Sequence, residues 1–457
     1  MAHSPLFTDK AARPVSSAVR RALAFDLLLA LVAGAAGLLA CERLPAGEKQ
    51  RAHLVALGPW LTDAVPGAVT VAWTTQGPWL GEVRYGESGQ PGSVAREEGP
   101  TTDHRIVLKG LKPAANYDYQ IVADVPSGGS FTSAPDPAAD PLQRPFSVLV
   151  YGDNRTNGGD HALVARAAAA QGAVFALHTG DMVVNAKDQR AWQRWFEVEA
   201  ELLASTPFYP TVGNHEITDK GVTYSRHFQQ RGRPTFRSFD YANVHVQVLD
   251  SFELAAGADP HAGAVSDAQK AWAEADAKSV PKTSHLWMLV HQGPYTHPMK
   301  MRAGHGGLES VRQLIKAVRA VHPVEAVFAG HEHFYERGLI DGLDYFVIGG
   351  GGAPLEDPDP TAAGVKAARK QLGFVVLDVC GCHVTGRALD IAGKAFDAFE
   401  LATCPQSCAV KTASAAALPA AAPAVAAPAP ASAAPARAPA PVPAPASPKP
   451  AVPEPKQ

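Results

Sequence analysis

Five short segments constrain this chain more than anything else in it. YGDNR (151–155), TGDMV (179–183), VGNHE (212–216), LVHQG (289–293) and AGHEH (329–333) each end a strongly apolar run with a burst of Asp, Asn or His. The runs FSVLVYGD, AVFALHTGD, VHVQVLDS, HLWMLVHQG and VEAVFAGHEH are nearly continuous in apolar residues, as strands buried on both faces are. Between them, AKDQRAWQRWFEVEAELLAS (186–205), DAQKAWAEADAK (267–278) and LESVRQLIKAVRAVH (308–322) carry helical spacing,. The expectation is an α/β sandwich over 146–402, closed by an antiparallel edge made from YFVIGGGG, FVVLDVCGCHVTGRALD and AFDAFEL,. In such sheets functional side chains gather at the carboxyl ends of the strands, where all five bursts lie.

At 457 residues and 46% hydrophobic content the chain is long enough for two folded domains,. Residues 52–137 read as a separate β-sandwich, with strands AVTVAWTT (68–75), LGEVRYGE (80–87), HRIVLKGL (104–111) and YDYQIVADV (117–125) broken by Gly, Pro and Asn,. Leu111-Lys112-Pro113 followed by Tyr117 and Tyr119, with Trp73 as the core tryptophan, resembles the corner of a fibronectin type III-like domain,. A Pro-rich linker, Ala134 to Pro145, leads into the α/β part,.

The two ends have other characters. Arg20 and Arg21 precede an apolar run from Leu27 to Ala40 that stops at Leu38-Leu39-Ala40-Cys41. This resembles a lipoprotein signal, which predicts removal of residues 1–40, lipidation of Cys41, a short linker over 41–51, and export to the cell envelope. Glu42 after the cysteine points to the outer membrane or its periplasmic face in a Gram-negative cell. Cys380, Cys382, Cys404 and Cys408 read as two disulfides or as a structural zinc site, with neither role catalytic,. Beyond Cys408 the chain is Ala, Pro, Val and Ser, which predicts a disordered or polyproline tail within 403–457,. The formal charge of -3, without a Lys/Arg block, disfavours nucleic acid as a partner and leaves a small-molecule ligand,. Oligomeric state has no signal in the sequence.

Asp, Asn and His in this order are ligands for hard and borderline metal ions. A phosphate ester is anionic with a poor leaving group, and two metal ions about 3.5 to 4 Å apart can clamp it and ionise a water. The five segments are similar to those of the calcineurin-like metallophosphoesterase superfamily, and the preceding β-sandwich makes the purple acid phosphatase-like branch the best match. The resemblance spans residues from about 52 to about 402. It implies a dinuclear metal centre, with Asp153 on the first ion and Asp181 bridging both. Asn214, His291 and His331 would hold the second ion, and His333 would return to the first. His215 would contact substrate and act as general acid, with Glu216 orienting it or lying exposed.

Two departures from the family pattern stand out. Val184 occupies the place of a tyrosinate ligand, so a purple colour is not expected, and Arg155 occupies the place where other branches carry a histidine. The first site therefore lacks a protein ligand, which favours exchangeable divalent Mn, Fe or Zn over ferric ion. Arg155 is expected to face the substrate phosphate through its guanidinium. Asn154 and His297 are further candidates for substrate binding, and His297 for catalysis. His305, in the Met301–Gly307 loop, is a weaker one. The expected function is an exported phosphomonoesterase using metal-bound hydroxide. A phosphodiesterase or nucleotidase, or a non-catalytic envelope binding protein, is the alternative.

Overall fold

A computed structural model describes residues 54–137, 144–229, 234–253, 263–302 and 304–402. Cys41 and the signal-like segment, Cys404, Cys408 and the Ala/Pro-rich tail lie outside the described residues. Among the described residues no helix is long and apolar enough to cross a membrane.

The N-terminal part holds β1 (Val55–Val65), β2 (Ala68–Trp79), β3 (Glu82–Glu87), β4 (Gln90–Arg96), β5 (Thr101–Lys109), β6 (Asn116–Ile121) and β7 (Ser127–Thr132). They form a three-stranded sheet in the order β1-β2-β5 facing a four-stranded one in the order β4-β3-β6-β7. Trp73 is buried and stacks on His104 at 4.5 Å. Tyr117 fixes the corner by accepting the Lys112 N–H at 2.8 Å. Three strands were not expected from the sequence. β1 has no alternation because both its faces are covered: Leu61 enters the sandwich core, while Trp60 packs with Phe196 of the second part. β4 and β7 carry Pro, Gly and Ser, which mask a strand signal,.

The second part begins with β8 (Phe146–Tyr151), α1 (Gly158–Ala169), β9 (Phe175–His178), α2 (Gln189–Ser205), β10 (Phe208–Pro210), α3 (Val222–Phe228), β11 (Arg237–Tyr241) and β12 (Val244–Val248). It continues with α4 (Asp267–Ser279), β13 (His285–Leu289), α5 (Glu309–Arg319), β14 (Ala326–Ala329), β15 (Tyr335–Ile340), β16 (Leu343–Ile348) and β17 (Val365–Arg369). An antiparallel run of β18 (Gly373–Cys380), β19 (His383–Asp390) and β20 (Ala395–Ala402) ends it. The order is β10-β9-β8-β18-β19-β20 in one sheet and β11-β12-β13-β14-β16-β15-β17 in the other.

Alternate residues of each strand serve different layers. Val148, Val150 and Leu177 meet Trp287, Leu289 and Phe328 in the core between the sheets. Leu149, Tyr151 and Ala176 face outward onto Val164 and Trp192. Leu286, Met288 and Val327 face outward onto Leu314 and Val318. The result is a helix-sheet-sheet-helix sandwich.

α2 starts at Asp188, whose carboxylate accepts the Arg190 N–H, and buries Trp192, Trp195, Phe196, Glu199, Leu202 and Leu203 along one stripe,. α1 was not expected, since Gly158-Gly159 weakens its start and the rest is alanine-rich; its signal was Asn157, which caps Gly159 and Asp160. The seam between the two parts is held by aromatic packing and by directed bonds. Tyr209 Oη accepts from Ala64 N at 2.8 Å, Tyr119 donates to Ala204 O at 2.9 Å, and Arg226 pairs with Asp103 at 2.6 Å.

Candidate metal centre

β8, β9, β10, β13 and β14 run so that the loops after them meet at one edge of the two sheets, and each delivers part of the site. Asp153, Asp181, His291 and His331 are almost fully buried there, with Asn214 and His333 at 5% and 3% exposure. Asp153, Asp181 and His331 hold φ of 56°, 58° and 72°. This left-handed region is unfavourable for residues with a side chain, by about 1–2 kcal/mol. Close approach is enforced by glycine. A Cβ on Gly213 would overlap the Asp181 carboxylate, and one on Gly330 would overlap that of Asp153.

One half of the site is a cluster of electron pairs. His291 Nδ1–H donates to Thr179 O at 2.6 Å, which leaves Nε2 bare,. That nitrogen faces Asn214 Oδ1 at 3.2 Å, Asp181 Oδ1 at 3.3 Å and His331 Nδ1 at 3.2 Å. His331 Nδ1 lies 3.1 Å from the same Asn214 oxygen. His331 Nε2–H donates to Gly304 O at 3.4 Å, so all four atoms are acceptors turned toward one another, which a cation satisfies and a proton does not,. Burial holds both rings uncharged: His291 is lowered, and His331 well lowered, by burial and the neighbouring His291. The donor set thus fits a divalent ion of the Mn, Fe or Zn type.

The other half differs. His333 Nδ1–H donates to Pro354 O at 2.9 Å, and its free Nε2 faces Asp153 Oδ1 at 3.9 Å. Arg155 lies between these groups rather than free toward a substrate. Its Nε donates to Asp181 Oδ2 at 2.9 Å, its Nη2 to His333 Nε2 at 3.2 Å, and its Nη1 to Thr156 Oγ1 at 3.2 Å. Burial and this guanidinium bring His333 down to about 4. Burial and the Asp181 charge push Asp153 well up, against Arg155. Burial works the same way on Asp181, but His291, His215 and Arg155 outweigh it and hold that carboxyl below its usual range.

Other expected residues fall in several places. His215 stands at the rim: Nδ1–H donates to Val184 O at 2.6 Å, and Nε2 lies 3.8 Å from Asp181 Oδ2. Asn154, expected to bind substrate, is held in a structural network. It is buried, its Nδ2 donates to Glu199 Oε1 at 2.9 Å, and its Oδ1 accepts from Trp195 Nε1 at 3.1 Å. Tyr151 and His161 complete that network around the Glu199 carboxylate, at 2.9 and 2.7 Å. Among the described residues His297 makes no hydrogen bond to the six ligand candidates; its Nδ1 pairs with buried Glu336 at 2.9 Å, which also accepts from Tyr345.

Glu216 neither orients His215 nor lies exposed. It is fully buried and accepts the N–H groups of Asp181, Met182 and Gly213 at 2.8 to 2.9 Å, tying two ligand loops together. Burial and the Asp181 charge push it up to about 8. His305 stacks on His331 at 4.3 Å and bonds Glu332. The sequence signal for Glu216 and Glu332 was their place inside the motifs; only burial distinguishes them from surface acids.

A cleft of about 220 Å³ lined by Arg155, Thr156, Val184 and Arg194 opens beside the site. The larger cavity, about 830 Å³, lies away from it between α5 and Pro294-Tyr295. Size is a poor guide here, since the convergent donors are not in the larger one.

Residues 146–335 match the calcineurin-like phosphoesterase family. The chain is 23% identical over 306 residues to probable purple acid phosphatase 20 of Arabidopsis thaliana, covering 62% of this chain and 68% of that one. It is 25% identical over 349 residues to acid phosphatase type 7 of Mus musculus, covering 69% and 76%. The structure of a purple acid phosphatase from seeds of yellow lupin, Lupinus luteus, superposes with a TM-score of 0.63 over 78% of each chain at 17% identity, which establishes the common fold. Purple acid phosphatases use a dinuclear metal centre, and this chain carries candidate ligands for one. With its five ligand loops at the strand ends, the chain carries a calcineurin-like phosphoesterase domain over residues 146–335, resembles the purple acid phosphatases, and is a phosphoric ester hydrolase.

Proposed function

We propose that this protein is an exported, divalent-metal phosphatase that hydrolyses phosphomonoesters in the manner of the acid phosphatases. The observation that carries the reading is the convergence of Asn214 Oδ1 and Asp181 Oδ1 on His291 Nε2, at 3.2 and 3.3 Å from it. The names of the Arabidopsis and mouse relatives support the acid phosphatase class.

When bound, the metal supplies charge neutralisation for the ester and a water ionised near neutral pH. Asp181, Asn214, His291 and His331 are the residues to hold it, and Asp153 and His333 line the adjoining seat. Thr179, Glu216 and Pro354 keep the donors oriented through their bonds to His291, the Asp181 loop and His333,. His215 carries the proton for the leaving oxygen. With Nδ1–H committed to Val184 O, only Nε2 is available at the rim,. Arg155, bonded to Asp181 and His333, adds a fixed positive charge beside the metal ligands,.

The purified protein, reconstituted separately with Mn²⁺, Fe²⁺ and Zn²⁺, is assayed on p-nitrophenyl phosphate and on bis-p-nitrophenyl phosphate. Turnover of the monoester by at least about 10-fold over the diester is expected. Preference for the diester moves the reading to a phosphodiesterase, and hydrolysis of neither removes it. Because Val184 stands where a tyrosinate ligand would, the loaded enzyme is colourless in this reading.

The remaining parts fit an envelope protein. The Leu38-Leu39-Ala40-Cys41 sequence supports a lipid anchor, which Cys41→Ser and labelled palmitate incorporation test,. The three-on-four sandwich with Tyr117 at its corner supports a fibronectin type III-like domain bracing α2,. The four late cysteines support two disulfides in that compartment; a free-thiol count on denatured protein decides against zinc if it gives none.

A further inference from the structure

The two halves of the centre are filled by different means. In the half built from Asn214, His291 and His331, the acceptors face one another with no side-chain cation among them. In the half built from Asp153 and His333, the Asp153 carboxylate accepts the His331 N–H at 3.0 Å, and the two remaining acceptors face Arg155. Asp181 Oδ2 receives Arg155 Nε, and His333 Nε2 receives Arg155 Nη2. We propose that Arg155 takes the place of the first ion, so that the resting centre holds one metal ion and one guanidinium. This rests on reading the site as a metal centre, and it deepens that reading.

Three further observations support the assignment. The Arg155 side chain is only 16% exposed, so it is an interior group rather than a surface one folded inward. The backbone is bent to deliver it: Thr156 holds φ of 81°, strained for a β-branched residue, and its hydroxyl accepts from Nη1,. Arg155 N also donates to Asp181 O at 3.2 Å, which locks the two loops in register.

Charge points the same way. With both carboxyls ionised, as metal ligands are, Asp153 and Asp181 contribute two negative charges and the Arg155 guanidinium one positive charge,. One divalent ion brings the sum to about +1, and a second would bring it to about +3 in a buried pocket with like charges in contact. A guanidinium also suits the geometry better than an ammonium, because Nε and Nη2 reach a carboxylate and an imidazole at once.

The test counts ions on the full chain and does not read activity. Metal-stripped protein is dialysed against Mn²⁺, and bound metal is measured by elemental analysis and by electron paramagnetic resonance. The expected result is about one ion per chain with the six-line spectrum of isolated Mn²⁺. Arg155→His exchanges the cation for a neutral donor and is expected to take up about two ions and give an exchange-coupled multiline spectrum. Arg155→Lys keeps the charge and is expected to remain at about one. Circular dichroism melts verify that each variant is folded. Two ions or a coupled spectrum in the unaltered protein overturns the proposal, as does Arg155→His remaining at one. If neither ester is hydrolysed but the count rises from one to two, the phosphatase reading fails while this inference stands.

Discussion

Buried histidines occur in two regions of this molecule under opposite conditions. At the strand ends, His291 and His331 turn ring nitrogens toward a shared point among a carboxylate and an amide oxygen. At the seam between the N-terminal sandwich and the α/β part, His227 is 1% exposed and enclosed by Trp60, Trp192 and Phe196 at ring separations of 5.2 to 6.1 Å. Neither of its nitrogens has a hydrogen-bond partner among the described residues. Burial alone therefore says little about a histidine. What separates a ligand from a packing residue is whether its neighbours offer electron pairs aimed at the same place.

The comparison can be broken at several points, most strongly at its centre. Asp181→Asn keeps shape and backbone conformation but removes the central charge. It is expected to lower kcat about 10³-fold or more with an unchanged circular dichroism spectrum. Retained turnover would mean that the strand-end cluster is packing too. His331→Ala is expected to weaken Mn²⁺ affinity about 10²-fold in equilibrium dialysis, whereas His227→Ala leaves it unaltered.

The seam histidine has a pH signature of its own. Burial, with the nearby Arg226 charge, brings His227 down to about 3. Its folded value lies below the unfolded one, so the unfolded chain takes up a proton first, and stability falls as pH drops from about 6.5 toward 3. His227→Phe removes that penalty and is expected to gain about 2 to 3 kcal/mol near pH 4.5, shrinking to little above pH 7. Urea unfolding across this range measures it; a gain independent of pH would show that the ring is neutral for other reasons. Loading with Mn²⁺ at about 100 times its Kd adds roughly 2.7 kcal/mol, and this increment should be the same in His227→Phe, because the two regions share no ligand. The smallest effect is at Tyr209→Phe, which frees the Ala64 N–H at the seam for a loss of about 1 kcal/mol in urea melts,.

Much of this arrangement was legible in advance because metal ligands must stand at strand ends, and a long apolar run followed by a polar burst marks such an end. The six ligand candidates do converge. Side-chain direction was not legible, since it depends on what lies across the sheet. Asn154 turns inward because Glu199, 45 residues away on α2, waits there with Trp195. Arg155 turns toward His333, 178 residues away, and no local pattern reports that. Glu216 is adjacent to a ligand loop yet buried by its backbone bonds rather than by its own chemistry. In the sandwich, β1 has no clear sequence signature for a related reason: a strand covered on both faces shows no alternation.

The left-handed backbone at Asp153 and Asp181 bears on how such proteins age in evolution. Asn and Gly occupy that conformation at least as readily as Asp, and both are a single nucleotide change from its codons. Either replacement would silence hydrolysis, and at the same stroke remove a buried charge or relax the chain. A duplicated copy released from its enzymatic duty would meet little resistance from foldability in losing these residues. Inert descendants of this architecture should accordingly be common, and Asn or Gly at these two positions, behind intact apolar runs, is the scar by which to know them.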